Sequence, residues 1–381
     1  MKVKQIKARK ILNSRNEPTI EVIVNKKYSA AAPSGASTGS TEVKAYAKNL
    51  NDSIDFINKG GLVGLKYEEF SDLSSLHTLL PKIGGNAVIA LQFALLKAMS
   101  DNKVWKFLNP HAIKLPIPVG NVIGGGLHTK KLSTDIQEFL LIPRSKKFSE
   151  NYYVNNYLHT KIGKMLNAKK MTDEGAWIPS MSNEEVFRFL FNFLKDKRNT
   201  LGMDVEFGLD MAATSFFKNN HYVYKNFSSE KAVCKFSKKE QIEYVNRLIK
   251  DYKLSYFEDP LHENDFDGFS KVNKKTLVCG DDLITTNLDR LKEAVENNSI
   301  NCIIIKPNQI GSVVKTKEVV DYAHKHKIKT IISHRSGETM DTTIADLAVA
   351  WNIPYIKTGI YGKERKAKLL RLKKIEEEIN F

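Results

Sequence analysis

Six ionisable residues each close a short β-branched or aromatic run: Asp210 after VEFGL, Glu258 after LSYF, Asp281 after TLVCG, Lys306 after CIII, His334 after TIIS and Lys357 after IPYI. Three of them are carboxylates, which suit a hard divalent cation such as Mg²⁺ because that ion takes oxygen ligands. A lysine held beside a metal and a second cation can lose its proton and act as a base. Taken singly, each charge marks only where a buried strand returns to water. Six in succession, all of catalytic type, mark a site.

Their spacings are 48, 23, 25, 28 and 23 residues. A gap in the twenties holds one strand, one helix and two short loops, so the last five runs predict consecutive βα units. Such units close into a (β/α) barrel whose strands end on one face, the face that carries the chemistry. A chain of 381 residues accommodates that barrel and a smaller companion. The Pro-punctuated LPIPV at 115–119 marks the junction, giving an N-terminal α+β domain over 1–114 and a barrel domain over 115–381.

Residues 1 to about 32 alternate as strands do, with NSRNEPT as a turn. NAVIALQFALLKAMSD, residues 86–101, predicts a helix buried on most faces. GNVIGGGLHTKK and DIQEFLLIP predict an antiparallel strand pair around a glycine-rich loop bearing His128. On the second strand Glu138 alternates with Ile136 and Leu140, and on an interior face it would need a partner. Ser182 with Glu185, and Ser237 with Glu240, form capping boxes that open helices. PSGASTG at 33–39 is either a flexible connection or a lid whose Ser37 or Thr38 meets a phosphate or metal. TDEGAWIPS at 172–180, carrying Asp173 and Glu174, is equally open between simple turn and site loop. SHRSGET at 333–339 offers a guanidinium fork, a hydroxyl and backbone amides directly after an apolar strand, which points to a phosphate or carboxylate site.

Composition excludes several classes. Hydrophobic residues at 42% and charged residues at 27% are those of a soluble globular protein. No run is long and apolar enough to span a membrane, and MKVKQIKARK leads into a turn rather than a secretory segment. The formal charge of +16 favours anionic partners, yet no zinc-finger spacing or RNP motif accompanies it, so no nucleic acid is expected. Cys234, Cys279 and Cys302 make no CxxC pair and predict packed thiols in a reducing cytoplasm.

PSGASTG, QEF at 137–139, DEG at 173–175, GLD at 208–210, EDP at 258–260, GDDL at 280–283, KPNQIG at 306–311, SHRSGET and IKTG at 356–359 together resemble the enolase family over essentially the whole chain. The resemblance implies Mg²⁺-dependent, reversible dehydration of 2-phosphoglycerate to phosphoenolpyruvate. It implies that Asp210, Glu258 and Asp281 hold one Mg²⁺, with Ser37 and the substrate phosphate completing a second site. Lys306 would be the base, Glu174 helped by Glu138 the general acid, and Lys357 a charge for the enolate. Arg335 and Ser336 would bind phosphate, with His128 and His334 lining the pocket. The family further implies a homodimer, with Arg15 near the contact, acting in the cytoplasm.

This chain departs from the family pattern at the lids. Asn16 takes a glycine position, which is tolerable because asparagine accepts a left-handed backbone better than most residues. Lys130 and Lys131 add bulk and charge beside His128, Ala176 and Trp177 follow the DEG motif, and little sequence separates Met165 from Thr172. Two rivals follow: a basic enolase-like protein that binds polyanions or host protein, including at a surface, with impaired turnover, and a barrel enzyme acting on another 2-hydroxy acid.

Overall fold

Apolar residues alternate with charged ones in β1 (Ile6–Leu12), so Ile6 and Ala8 are buried while Lys7 and Arg9 face solvent. β1 pairs antiparallel with β2 (Pro18–Val24), which pairs with β3 (Tyr28–Ala31). The connecting turn is held by Asn13, whose Oδ1 accepts the amides of Arg15 (2.8 Å) and Glu17 (3.0 Å). Asn16 there has φ 59°, the left-handed conformation that asparagine tolerates. A helix at Gly85–Met99, buried on nearly every side, packs on this sheet. The computed structural model describes residues 1–35, 39–129 and 133–379, so Ser37, Thr38, Lys130 and Lys131 lie outside the described residues.

The barrel strands follow: β4 (Ile117–Gly124), β5 (Glu138–Pro143) and β6 (Val205–Asp210). After β6 comes a three-stranded sheet of β7 (Phe217–Lys218), β8 (His221–Tyr224) and β9 (Cys234–Phe236), which accounts for the long 48-residue first gap. The remaining barrel strands are β10 (Tyr256–Glu258), β11 (Leu277–Gly280), β12 (Cys302–Ile305), β13 (Lys329–Ser333) and β14 (Tyr355–Lys357). Among the described residues, eight strands close a barrel in the order β4-β5-β6-β10-β11-β12-β13-β14.

All neighbouring barrel strands run parallel except β5, which is antiparallel to both β4 and β6. Because β5 is reversed, its first residue, Glu138, lies at the mouth where the other strands end. Between β5 and β6 the chain makes two helices, Phe148–Met165 and Asn183–Leu201, and the turn joining them returns to that mouth with Glu174. The second helix opens on the Ser182–Glu185 capping box, and Ser237–Glu240 opens Lys238–Asp251.

Leu140, Ile142, Tyr256 and Ile304 fill the barrel interior, whereas Phe139 and Leu141 belong to the larger core outside it. Glu138 therefore shares the interior face with Leu140. Ile136 does not: it precedes the strand and packs in the outer core, because alternation holds only once the ladder has begun. The three cysteines are free and buried. Among the described residues no helix is long and apolar enough to cross a membrane.

Candidate active site

Strand register puts three carboxylates in one row. Glu138 of β5 pairs with Asp210 of β6, and Asp210 pairs with Glu258 of β10, so their side chains rise from adjacent strands at one level. Lys357, at the end of β14, reaches all three, with Nζ at 2.7 Å from Glu138 Oε2, 2.8 Å from Asp210 Oδ2 and 2.7 Å from Glu258 Oε2. This is the partner that an interior Glu138 required, and Asn121 Nδ2 donates to its other oxygen at 2.7 Å. Gln137 Nε2 donates to Asp210 Oδ2 (3.2 Å), and the Tyr256 hydroxyl donates to Glu258 Oε2.

One cation does not balance three carboxylates. Burial, and then repulsion from Asp210 and Asp281 against the pull of Lys357, pushes the Glu258 carboxyl up to about 8. Glu258 Oε1 is buried with no hydrogen-bond partner among the described residues. Burial would lower the Lys357 ammonium, but the carboxylates around it outweigh that and hold it well above its usual range.

Asp281, directly after β11, is ion-paired with Lys306, directly after β12, and its Oδ1 accepts from Gln309 Nε2 at 3.1 Å. Both residues are deeply set. For Lys306 burial is outweighed by Asp281, so the ammonium holds its proton more tightly than usual. Asp210, Glu258 and Asp281 thus divide between two ammonium groups, because a buried carboxylate turns to whatever cation the chain itself supplies. The closest groupings of ligand atoms, within 4.8 Å, are Asp259–Asp281–Asp282 and His128–Glu138–Glu174. Asp259 fixes the first of these by accepting the amides of Asp281 (3.0 Å) and Asp282 (2.8 Å). Hard oxygen donors, an unpartnered carboxylate oxygen and surplus negative charge fit a divalent cation here.

Glu174 sits between two imidazoles, with His128 Nε2 at 3.7 Å and His334 Nε2 at 3.4 Å. His128 also contacts Asp173 Oδ1 through Nδ1 (2.8 Å); burial would lower its pKa, but Glu174 and Asp173 together raise it. Burial carries His334 the other way, below its usual value. Burial and Glu174 raise the Glu138 carboxyl well above its usual range although Lys357 pulls it down, while His128 and His334 lower that of Glu174 against its own burial.

The Glu174 loop is braced from behind. Gly175, at φ +79°, presents its carbonyl to His159 Nε2 at 2.8 Å. The His159 ring is stacked between Trp177 (5.2 Å) and Tyr361 (5.9 Å), and Trp177 Nε1 donates to the His159 carbonyl at 2.8 Å. Arg15 pairs with Asp173 at 3.3 Å and with Glu17 at 3.1 Å.

SHRSGET is clamped by the turn after β1 and the segment after β3. Ser34 and Gly337 exchange backbone hydrogen bonds of 2.8 Å each, and Ser14 donates to the Ser336 carbonyl (3.2 Å). Arg335, expected to offer its fork to an anion, forks onto Glu42 at 2.8 and 3.1 Å. Glu338 is tied to the buried Lys368 at 2.7 Å. A cavity of about 270 Å³ opens among these groups, with Lys306, Lys357, Glu174, Asp281, Arg335 and Ser336 on its wall. Glu258 is set back from its surface.

Some of these residues had no signal in the sequence. Gln137 and Gln309 lie inside motifs already singled out, QEF and KPNQIG. Glu42 is 293 residues from Arg335, and nothing local announces that pair. His159 lies on the face of a helix that otherwise reads as ordinary packing.

Residues 112–380 match the family model described as "Enolase, C-terminal TIM barrel domain", and residues 3–63 match "Enolase, N-terminal domain". A protein named enolase from Picrophilus torridus is 40% identical over 403 residues, covering 99% of each chain. One from Methanothermobacter thermautotrophicus is 38% identical over 409 residues, covering all of this chain and 97% of its own. One from Thermoplasma acidophilum is 37% identical, covering 98% of each. The alignment of 409 positions exceeds the 381 residues here, so this chain is short where that relative has insertions.

Proposed function

The chain belongs to the enolase family, and we propose that its buried row of carboxylates and lysines carries out that family's reaction at the barrel mouth. It is a lyase of glycolysis, dehydrating 2-phosphoglycerate reversibly to phosphoenolpyruvate, and its substrate is a small phosphorylated acid.

Asp210, Glu258 and Asp281 would hold one Mg²⁺, and Ser37, outside the described residues, would join the substrate phosphate in holding a second. Mg²⁺ supplies positive charge that offsets the dianionic enolate as it forms. Lys306 accepts the proton next to the carboxylate at Nζ as a neutral amine, which requires that its pairing with Asp281 first be relaxed and its ammonium proton released to solvent. Lys357 keeps its proton and faces the same growing negative charge. Glu174 protonates the departing hydroxyl, drawing on the proton that Glu138 holds. His128 and His334 favour the ionised form of Glu174 between turnovers. Arg335 exchanges Glu42 for the phosphate, and Ser336 adds backbone and hydroxyl donors.

The observation that carries this reading is the convergence of Lys306, Lys357 and Glu174 on one buried cavity with Asp210 and Asp281. A polyanion-binding protein without turnover would gain nothing from so costly a cluster of charges. The division at 114/115, a homodimer and a cytoplasmic location also belong to this proposal; buried free thiols and the absence of a membrane-crossing helix among the described residues agree with the last. The test is phosphoenolpyruvate formation with and without Mg²⁺, and with Lys306→Ala. Turnover should need Mg²⁺ and fall by about 10²–10⁴-fold in the variant. Metal-independent turnover, or turnover that survives Lys306→Ala, would overturn it.

A further inference from the structure

The opposite end of the barrel carries a second feature. Ile117 opens β4 and Lys329 opens β13, and Pro143 closes the reversed β5, so the segments flanking these residues gather at the end away from Glu138, His334 and Lys357. There they border a cleft of about 970 Å³, much larger than the cavity at the mouth. Three stretches of chain bring cations to it: Lys114 before β4, Lys146 and Lys147 after β5, and Lys327 with Lys329 at the start of β13; His324, from the helix Val313–Lys325, also lines it, with burial lowering its pKa.

The partners of these lysines are the informative part. Lys147 reaches Glu150 at 3.8 Å. None of the ammonium groups of Lys114, Lys146, Lys327 and Lys329 is in an ion pair or a hydrogen bond among the described residues. Glu376, a carboxylate on the cleft wall, is already committed to the amides of Phe148 (2.6 Å) and Ser149 (3.0 Å). Some other surface lysines are paired, as Lys238 is with Asp265 at 2.6 Å and Lys317 with Asp321 at 2.5 Å, so what sets these four apart is that they border one cleft. Unpaired like charges around one depression repel one another and focus a positive field into it. The floor between them is apolar, made by Ile117, Ile328 and Ile353.

We propose that this cleft at the far end of the barrel binds a small anion carrying a chain of two or more phosphates, held by Lys114, Lys146, Lys327 and Lys329. A phosphate chain can bridge cations that different stretches of chain bring to the cleft, whereas a single phosphate presents its oxygens at one point. An apolar floor next to a cationic rim suits a nucleoside triphosphate, whose base has a flat apolar face, and the rim alone suits free polyphosphate. The site lies away from the reacting groups, so it is occupied independently of 2-phosphoglycerate.

The experiment is calorimetric titration of the full chain with inorganic tripolyphosphate and, separately, with ATP, at low salt and with 2-phosphoglycerate and Mg²⁺ saturating. The same titrations are run on Lys327→Ala/Lys329→Ala and on Lys114→Ala/Lys146→Ala. These side chains are exposed, so both variants should fold and should dehydrate 2-phosphoglycerate at the wild-type rate. Each double variant should bind the anions about tenfold or more weakly, because each loses two unscreened charge-assisted contacts. ATP binding several-fold tighter than tripolyphosphate assigns the site to a nucleotide, and equal binding assigns it to the phosphate chain alone. Wild-type affinity in both variants, or failure of the wild type to bind either anion while 2-phosphoglycerate is saturating, would overturn the proposal. So would binding of single-stranded RNA at this cleft with no binding of either small anion.

Discussion

Trp177 occupies the space that a side chain on Gly163 would need: a β-carbon built there would overlap the indole ring. The same indole stacks on His159, and His159 holds the carbonyl next to Glu174. A packing contact on one helix is thereby linked to the acid of the proposed reaction.

Gly163→Ala should destabilise the protein by about 1–3 kcal/mol, the usual cost of overpacking. It should also lower kcat more than it raises KM, because the Glu174 loop moves while the phosphate contacts stay. Urea unfolding of Gly163→Ala, Trp177→Leu and the double variant measures the coupling. The double variant should recover part of the lost stability, and strictly additive costs would show the contact to be idle.

Mg²⁺ should raise the thermal midpoint saturably, with about 2.7 kcal/mol of stabilisation when the free ion exceeds its Kd a hundredfold. Glu258 has one oxygen on Lys357 and one with no hydrogen-bond partner among the described residues. Glu258→Gln should therefore abolish the shift, and a chelator should reverse it in the wild type. Calorimetric scans at matched ionic strength decide this, and an undiminished shift in the variant removes Glu258 from the ligand set.

Glu174→Gln should separate the two halves of the reaction. Dehydration should fall by about 10²–10⁴-fold, the typical worth of a positioned general acid. Exchange of the substrate proton next to the carboxylate with deuterated solvent should persist, because Lys306 is untouched. Lys306→Ala should lose both. Equal loss of exchange in the Glu174 variant would mean that the two groups do not act separately.

Asp341 ties the Gly85–Met99 helix to the barrel through Lys97 at 2.6 Å. Burial would raise its carboxyl, but Lys97 and the hydrogen bonds from Thr343 hold it below the ordinary 3.8. A depressed carboxylate contributes its full stability above the unfolded value and loses it as pH falls through the folded one. Asp341→Asn should cost about 3–5 kcal/mol at neutral pH by stranding Lys97. Below about pH 4 the difference should shrink as wild-type Asp341 takes up its proton. Denaturant unfolding at a series of pH values tests the sign: a gap that widened on acidification would refute it.

The barrel was legible because strand ends repeat at a βα spacing, and Glu138 was legible because a buried acid demands a partner. Asn16 at a glycine position was compatible with a left-handed turn, since asparagine accepts that conformation better than most residues, and it has φ 59°. Other features depend on closure of the barrel. Which carboxylate meets which lysine is decided only when β14 lies against β4, bringing Lys357 across to β5, β6 and β10. The Arg335–Glu42 fork joins opposite ends of the chain, and His159 acts through a backbone carbonyl that leaves no mark in residue type. Ile136 was misplaced because periodicity was carried one step past the ladder.

The reversal of β5 has a mechanical consequence. Glu138 is anchored in the ladder of a closed cylinder, whereas Glu174, its partner in the proposed proton transfer, hangs from a bend between two helices. The pair works like a clutch, with one plate bolted to the frame and the other on a lever. Lengthening or stiffening that lever would retune the handover of the proton while leaving the fixed plate where it is.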